Sequence, residues 1–215
     1  MKTILKNDWD RRDVVRLLQS TEENIGIELG VAKGGFSKDL IETRYFKKFF
    51  GIDRYLDNHD NLEYVEAIKH VGLNENYCLI KMTFKEALGI FPDNYFDFIY
   101  IDGYAHTGQL GGETIRDWYY KLKIGGVLSG DDYSDRWSAT KNIVNKFAQA
   151  NDFDLYVTGT RSDSQDTFAQ SPSWAIIKSG DMPVSVSSVD IRKAKLVDTL
   201  TITKRNLLKK IRNAI

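Results

Sequence analysis

Apolar residues along this chain fall in short runs separated by longer amphipathic stretches. IGIEL (25–29), KFFGID (48–53), NYCLIKM (76–82), FDFIYID (96–102), GGVLSGDD (125–132), FDLYVTG (153–159) and SWAIIKS (173–179) read as strands. GFSKDLIETRYF (35–46), DNLEYVEAIKHV (60–71), TFKEALGI from Thr83, GGETIRDWYYKL (111–122) and SATKNIVNKFAQA (138–150) read as helices. Thr83 and Glu86 have capping-box spacing. Strands alternating with helices predict a parallel sheet covered on both faces. FDFIYI and IGIEL are continuous apolar runs, as strands buried on both faces should be. The last two strands have only the polar TRSDSQDTFAQSP between them, which predicts a late antiparallel strand at or within the sheet edge. The class is α/β, doubly wound and mostly parallel.

Three segments follow: an N-terminal helical stretch at 1–24 carrying DRRDVVRLLQ, a core domain at 25–180, and a tail at 181–215. From Ile191 to Ile215 the tail has eight Lys/Arg against one acid, Asp198, with Leu196, Leu200, Leu207, Leu208 and Ile211 in partial helical register. Such a helix can lie on a membrane surface, grip an acidic partner, or pack on its own domain or on a second copy.

Composition narrows the function classes. A chain of 215 residues suits one well-cored domain. Its 30 basic and 30 acidic residues cancel, so no global charge draws it to nucleic acid. The single cysteine, Cys78, cannot form an internal disulfide; it reads as a buried thiol in a reducing compartment. There is no apolar core of signal-peptide length and no run of about 18 apolar residues to span a membrane. A cytoplasmic protein is expected.

Two candidate sites lie at strand ends. IELGVAKGGFSKDL sets Gly30, Gly34 and Gly35 between the first strand and its helix, where a doubly wound sheet binds ligands. It is neither GxGxxG nor a P-loop. Glu28 inside the strand end disfavours a pyrophosphate and suits a cationic ligand. Asp53 ends the second strand, 23 residues after Gly30, where an acid accepts from ribose hydroxyls. Together these residues describe a nucleoside site without phosphate recognition. The second site is acidic. Asp102 ends the fourth strand; Asp131 and Asp132 end the fifth. Three carboxylates opening on one crevice repel unless protonated or bound to a cation. Hard divalent ions take oxygen ligands, so the cluster reads as a Mg²⁺ site, with Asp102 as a turn acid the plainer alternative.

ELGVAKGGFS, GIDRY, FDFIYIDG and GGVLSGDDY, in that order and spacing, resemble the motifs of class I S-adenosylmethionine-dependent methyltransferases. They are most similar to the metal-dependent group that includes macrocin-type sugar O-methyltransferases. The resemblance covers roughly residues 20–180. It implies a Rossmann-like seven-stranded sheet with the last strand inserted antiparallel. It implies that Glu28, Gly30 and Gly34 face the methionine end of the cofactor and that Asp53 holds the ribose. Adenine contacts would fall near Met82, Thr83 and Phe84. Asp102 would serve cofactor, metal and catalysis together, with Asp131 and Asp132 completing the metal site.

The implied reaction is methyl transfer to a hydroxyl of a small molecule, such as a sugar or glycosylated metabolite. A metal would lower the pKa of that oxygen and hold it before the methyl. His106, in the loop after Asp102, is the candidate general base; it could instead be a metal or substrate ligand. Tyr133, Arg136, Trp137 and residues 161–167 are placed as acceptor contacts. Metal-free transfer and a non-catalytic binding module are the competing readings.

Overall fold

A computed structural model describes residues 1–56, 61–160 and 171–212, with side chains as far as Lys204. Eight strands form one sheet: β1 (Thr3–Lys6), β2 (Asn24–Leu29), β3 (Phe46–Asp53), β4 (Tyr77–Lys81), β5 (Phe96–Ile101), β6 (Leu122–Gly130), β7 (Leu155–Thr158) and β8 (Trp174–Ile177). Their order is β1-β7-β8-β6-β5-β2-β3-β4. β8 runs antiparallel to both β6 and β7; every other pairing is parallel. The late antiparallel strand therefore lies inside the sheet, between β7 and β6.

The strand count corrects the expected seven to eight. TILK pairs in parallel with β7, so residues 1–24 supply a strand as well as a helical turn. Its residues alternate between exposed and half-buried, leaving no apolar face to reveal it in sequence. What makes it a strand is the row of backbone groups on the edge of β7.

Among the described residues the α-helices include α1 (Gly35–Glu42), α2 (Asn61–Ala67, continued by a π turn at Ile68–Gly72), α3 (Phe84–Ala87), α4 (Glu113–Tyr119), α5 (Ser138–Ala150) and α6 (Ser188–Arg212). A 3₁₀ helix at Arg11–Leu17 precedes β2. α1 stops at Glu42, short of the predicted Phe46, because Arg44 turns left-handed and Phe46 already belongs to β3.

The apolar run of β5 divides between the two faces. Phe98 and Tyr100 pack with Val14, Val15, Phe36 and Leu40 beneath α1 and the 3₁₀ helix. Ile99 and Ile101 pack with Ile115, Trp118, Val144 and Phe147 of α4 and α5. Strand alternation sends successive side chains to opposite layers, so both faces of this strand need apolar residues. Cys78, expected buried, is half-buried on β4.

The chain order reverses between β2 and β5. From β2 it steps outward through β3 to β4; from β5 it steps the other way to β6. A crevice opens at the carboxyl ends of such neighbours, and this is where open α/β sheets take ligands.

Candidate active site

Glu28, Gly30, Asp53, Asp102 and Asp131 all stand at this switch point. Leu29 and Asp102 are joined by a backbone bond from the Asp102 N–H to the Leu29 carbonyl, 2.7 Å. The Gly30 N–H donates to the Ile52 carbonyl at 2.8 Å. Three strand ends are thus stitched together around Gly30. Gly30 has φ +103°, and a Cβ there would lie 1.9 Å from the Asp102 carbonyl oxygen. Gly34 has φ +80° and caps α1.

Glu28 is buried (1% exposed). Ser37 of α1 donates to its Oε2, and Tyr77 lies 2.9 Å from the Ser37 hydroxyl. Burial pushes the Glu28 carboxyl up to about 8, only partly opposed by Ser37 and Arg11, with Asp102 and Asp53 adding to the rise. A buried acid poised to ionise suits a ligand that arrives with positive charge.

Asp53 braces the glycine turn. Its Oδ2 accepts from the N–H groups of Val31 (3.1 Å) and Ala32 (3.0 Å), and its Oδ1 from Tyr55 N–H (3.0 Å). Tyr55 closes the far side by donating to the Ala32 carbonyl at 3.0 Å.

Thr83 spends its polar groups locally. It accepts from Glu86 N–H at 3.2 Å, while its own N–H and hydroxyl donate to the Glu86 carboxylate. The predicted capping box is formed. Thr83→Ala is expected to cost about 1 kcal/mol, as for caps in general, and a denaturant midpoint would measure it. Phe84 is half-buried and meets Tyr104 edge to face, centroids 5.4 Å apart.

The loop after Asp102 is strained. Gly108, Gln109, Leu110 and Gly111 have φ of +61°, +57°, +55° and +65°, a short left-handed turn. Each L residue held so costs about 1–2 kcal/mol, and strain of this kind gathers at functional sites. It also delays the predicted helix from residue 111 to Glu113. His106 lies on this loop, exposed, with Nε2 3.5 Å from Asp198 Oδ1 of α6. Lys195 of the same helix meets Glu113 at 2.8 Å, so the first part of α6 packs on its own domain. Tyr133 donates to Asn145 at 2.7 Å. Residues 161–167 lie outside the described residues.

The acid cluster departs most from expectation. Asp102 and Asp131 do not share an open space. Arg11 lies between them, with Nη2 2.9 Å from Asp102 Oδ2 and Nη1 3.2 Å from Asp131 Oδ2. Its guanidinium carbon stands 3.6 Å from the Phe36 ring centroid. Burial opposes the Arg11 charge, but Tyr100, Asp102, Asp131 and Glu28 outweigh it and hold the pKa above its ordinary value. Burial pushes the Asp131 carboxyl up to about 8; Arg11 opposes the rise only in part, and Asp102 and Asp132 add to it. Asp132 turns left-handed at φ +63°; burial and then Asp102 push its pKa up to about 6.

Among the described residues, no three His, Cys, Asp or Glu side chains are grouped to hold a metal ion. The donor set expected for Mg²⁺ does not fit one, because a guanidinium occupies the position between two of its three acids. Arg11 carries no sign of this role in sequence, where DRRDVVRLLQ shows only a helical pattern. Nor does the sequence signal the bond from Ser37 to Glu28 or the pairing of Asp198 with His106.

A family model described as a methyltransferase domain matches residues 25–133, and the chain belongs to that family. It is a methyltransferase that depends on S-adenosylmethionine. Its fold is similar to that of a precorrin 8W decarboxylase from Methanobacterium thermoautotrophicum (20% identity, 81% of this chain and 96% of that one, TM-score 0.55). It is also similar to an rRNA methylase from Streptococcus thermophilus (17% identity, 78% and 93%, TM-score 0.55). A proposed O-methyltransferase from Klebsiella pneumoniae shares it as well (12% identity, 78% and 79%, TM-score 0.57). No curated protein matches the chain. Among the described residues no helix is long and apolar enough to cross a membrane.

Proposed function

We propose that the chain transfers a methyl group to a hydroxyl of a small molecule, with a sugar or glycosylated metabolite as the favoured acceptor. The observation that carries the site assignment is the convergence of Glu28, Gly30, Asp53 and Asp102 at one switch point. The preference for a hydroxyl and for a sugar rests on the order of the sequence motifs, which resemble the macrocin-type group.

Bound S-adenosylmethionine supplies an electrophilic methyl on a sulfonium. Glu28 balances the positive methionine end, and Gly30 lets the backbone approach it. Asp53 has three backbone donors already, and its Oδ1 retains one free acceptor position for a ribose hydroxyl. Phe84 offers its face to the adenine, and Thr83 holds the turn that presents it. Asp102 borders cofactor and acceptor together.

His106 takes the acceptor's proton on an imidazole nitrogen, with Asp198 steadying the imidazolium that results. This pairing supports the base assignment made from the loop position alone. Mg²⁺ is not carried into the scheme, because Arg11 fills the place between Asp102 and Asp131. On α6, Leu196, Val197 and Leu200 are exposed, which supports a contact with a second copy through the tail.

Incubation with methyl-labelled cofactor and matched panels of glycosides, catechols and amines tests the reading. Label is expected in a methyl ether of a glycoside. Label found only on nitrogen would overturn the hydroxyl assignment. His106→Gln is expected to lower kcat by about 10²–10⁴-fold with cofactor affinity retained, the usual contribution of a general base.

A further inference from the structure

The cation that balances the acid cluster is part of the chain itself. We propose that Arg11 is its resident cation, standing where the acids alone call for a divalent metal, and that methyl transfer here proceeds without one. The last clause rests on the methyltransferase reading; the role of Arg11 does not.

Arg11 reaches both acids with one fork. Asp102 and Asp131 lie at the ends of adjacent strands, β5 and β6, and each takes one Nη. A guanidinium keeps its proton at every working pH, so this positive charge is permanent. The side chain is only 4% exposed and lies over the Phe36 ring. A divalent ion at the same oxygens would have to enter beside that fixed charge. Asp131 Oδ1, the oxygen not used by Arg11, is buried and has no hydrogen-bond partner among the described residues.

The backbone behind Arg11 is equally fixed. Asp10 caps the 3₁₀ helix by accepting from Arg12 N–H at 2.8 Å, and Asp13 returns the bond to Asp10 N–H at 2.9 Å. Gly159 N–H donates to the carbonyls of Lys6 and Trp9, both at 3.0 Å, tying the segment to the end of β7. Val14 and Val15 bury the helix against the sheet. Arg11 is thus delivered by a packed element, and displacing it would mean lifting that element off.

The arrangement has a use in catalysis. Neutralising Asp131 and one oxygen of Asp102 lets acids gather beside a cationic cofactor without mutual repulsion. Asp132, half-buried and left-handed just beyond the end of β6, borders this cluster, with Arg11 and Arg136 both favouring its ionised form. Arg11 is a positioning residue in this scheme, acting through the two aspartates.

The test titrates the full chain with Mn²⁺, followed by electron paramagnetic resonance, with S-adenosylhomocysteine present and absent. Wild type is expected to bind no Mn²⁺ more tightly than about 1 mM, and its turnover to be unchanged by EDTA. Arg11→Met keeps the stem and removes the charge. It is expected to melt about 10 °C lower and to bind Mn²⁺ at least tenfold more tightly than wild type. Arg11→Lys keeps a charge without the fork; it should melt between the two and gain no Mn²⁺ site. One equivalent of Mn²⁺ bound by wild type at micromolar concentration, and lost in Asp131→Asn, would overturn the proposal. So would an Arg11→Met protein that melts like wild type. If that variant does not fold, the wild-type titration and the EDTA measurement decide. Failure of S-adenosylhomocysteine to bind would count against the methyltransferase reading instead, and the titration without nucleoside would still judge Arg11.

Discussion

Glu28→Gln should weaken cofactor binding at least tenfold and, at the same time, make the ligand-free protein more stable above neutral pH. The two effects have one origin. The Glu28 carboxyl is raised by burial from an ordinary 4.5 to about 8 in the folded chain. Between those values the folded state holds a proton that the unfolded chain has released. Stability from this group is therefore complete below about 4.5 and is lost as pH rises towards 8. The slope approaches about 1.4 kcal/mol per pH unit. Glutamine has nearly the same shape and never ionises, so the variant's melting profile should be flatter across this window. At pH 8.5 (roughly the top of the transition) it should melt several degrees above wild type.

Cofactor binding runs in the opposite direction. A cationic ligand favours the ionised carboxylate, so wild-type affinity should rise with pH and each binding event below pH 8 should release a proton. A hydrogen bond to a charged group contributes about 1.5–3 kcal/mol, or roughly 10- to 100-fold. Calorimetry in buffers of different ionisation enthalpy reads both quantities. An unchanged affinity with proton release intact would remove Glu28 from the cofactor site.

Gly30→Ala is the second large effect, and it acts through the backbone. Alanine disfavours φ +103°, and its Cβ would stand 1.9 Å from the carbonyl oxygen of Asp102. That oxygen cannot swing aside, because Asp102 is bonded through its N–H to Leu29. Relief would require the ends of β2 and β5 to part, which opens the crevice that the site depends on. A loss of about 3 kcal/mol or more is expected from strain and clash together, lowering the melting temperature by roughly 6–12 °C. Cofactor binding should fall below detection. Gly180→Ala is the control, since a Cβ there meets nothing within 4 Å. Equal melting of the two variants would contradict the tight approach of the two strands.

Much of this architecture is legible in local pattern. FDFIYI announces a strand buried on both faces, and both its layers are found packed. SATKNIVNKFAQA has the same bounds as α5, because its apolar spacing is uninterrupted. The capping box at Thr83 forms from a four-residue signal. β1 was not legible, because an edge strand of four residues, alternately exposed and half-buried, has no buried face. The left-handed turn at 108–111 was hinted at by its glycines, but Gln109 and Leu110 give no sign that they adopt it. The pairing of His106 with Asp198 joins a loop to a helix of the tail, and no spacing encodes it.

The acid cluster marks the boundary most clearly. Sequence alone placed Asp102, Asp131 and Asp132 at the ends of two strands that a doubly wound sheet sets side by side. It also determined that their charges must be met by protons or by a cation, since like charges in one crevice repel. Which cation answers was decided only in three dimensions. Arg11 lies 91 residues from Asp102 and 120 from Asp131 along the chain. Its neighbour Arg12 reaches Asp10 instead. Periodicity reports the face on which a residue lies, whereas the pairing of distant charges depends on how one packed element is laid across the ends of others.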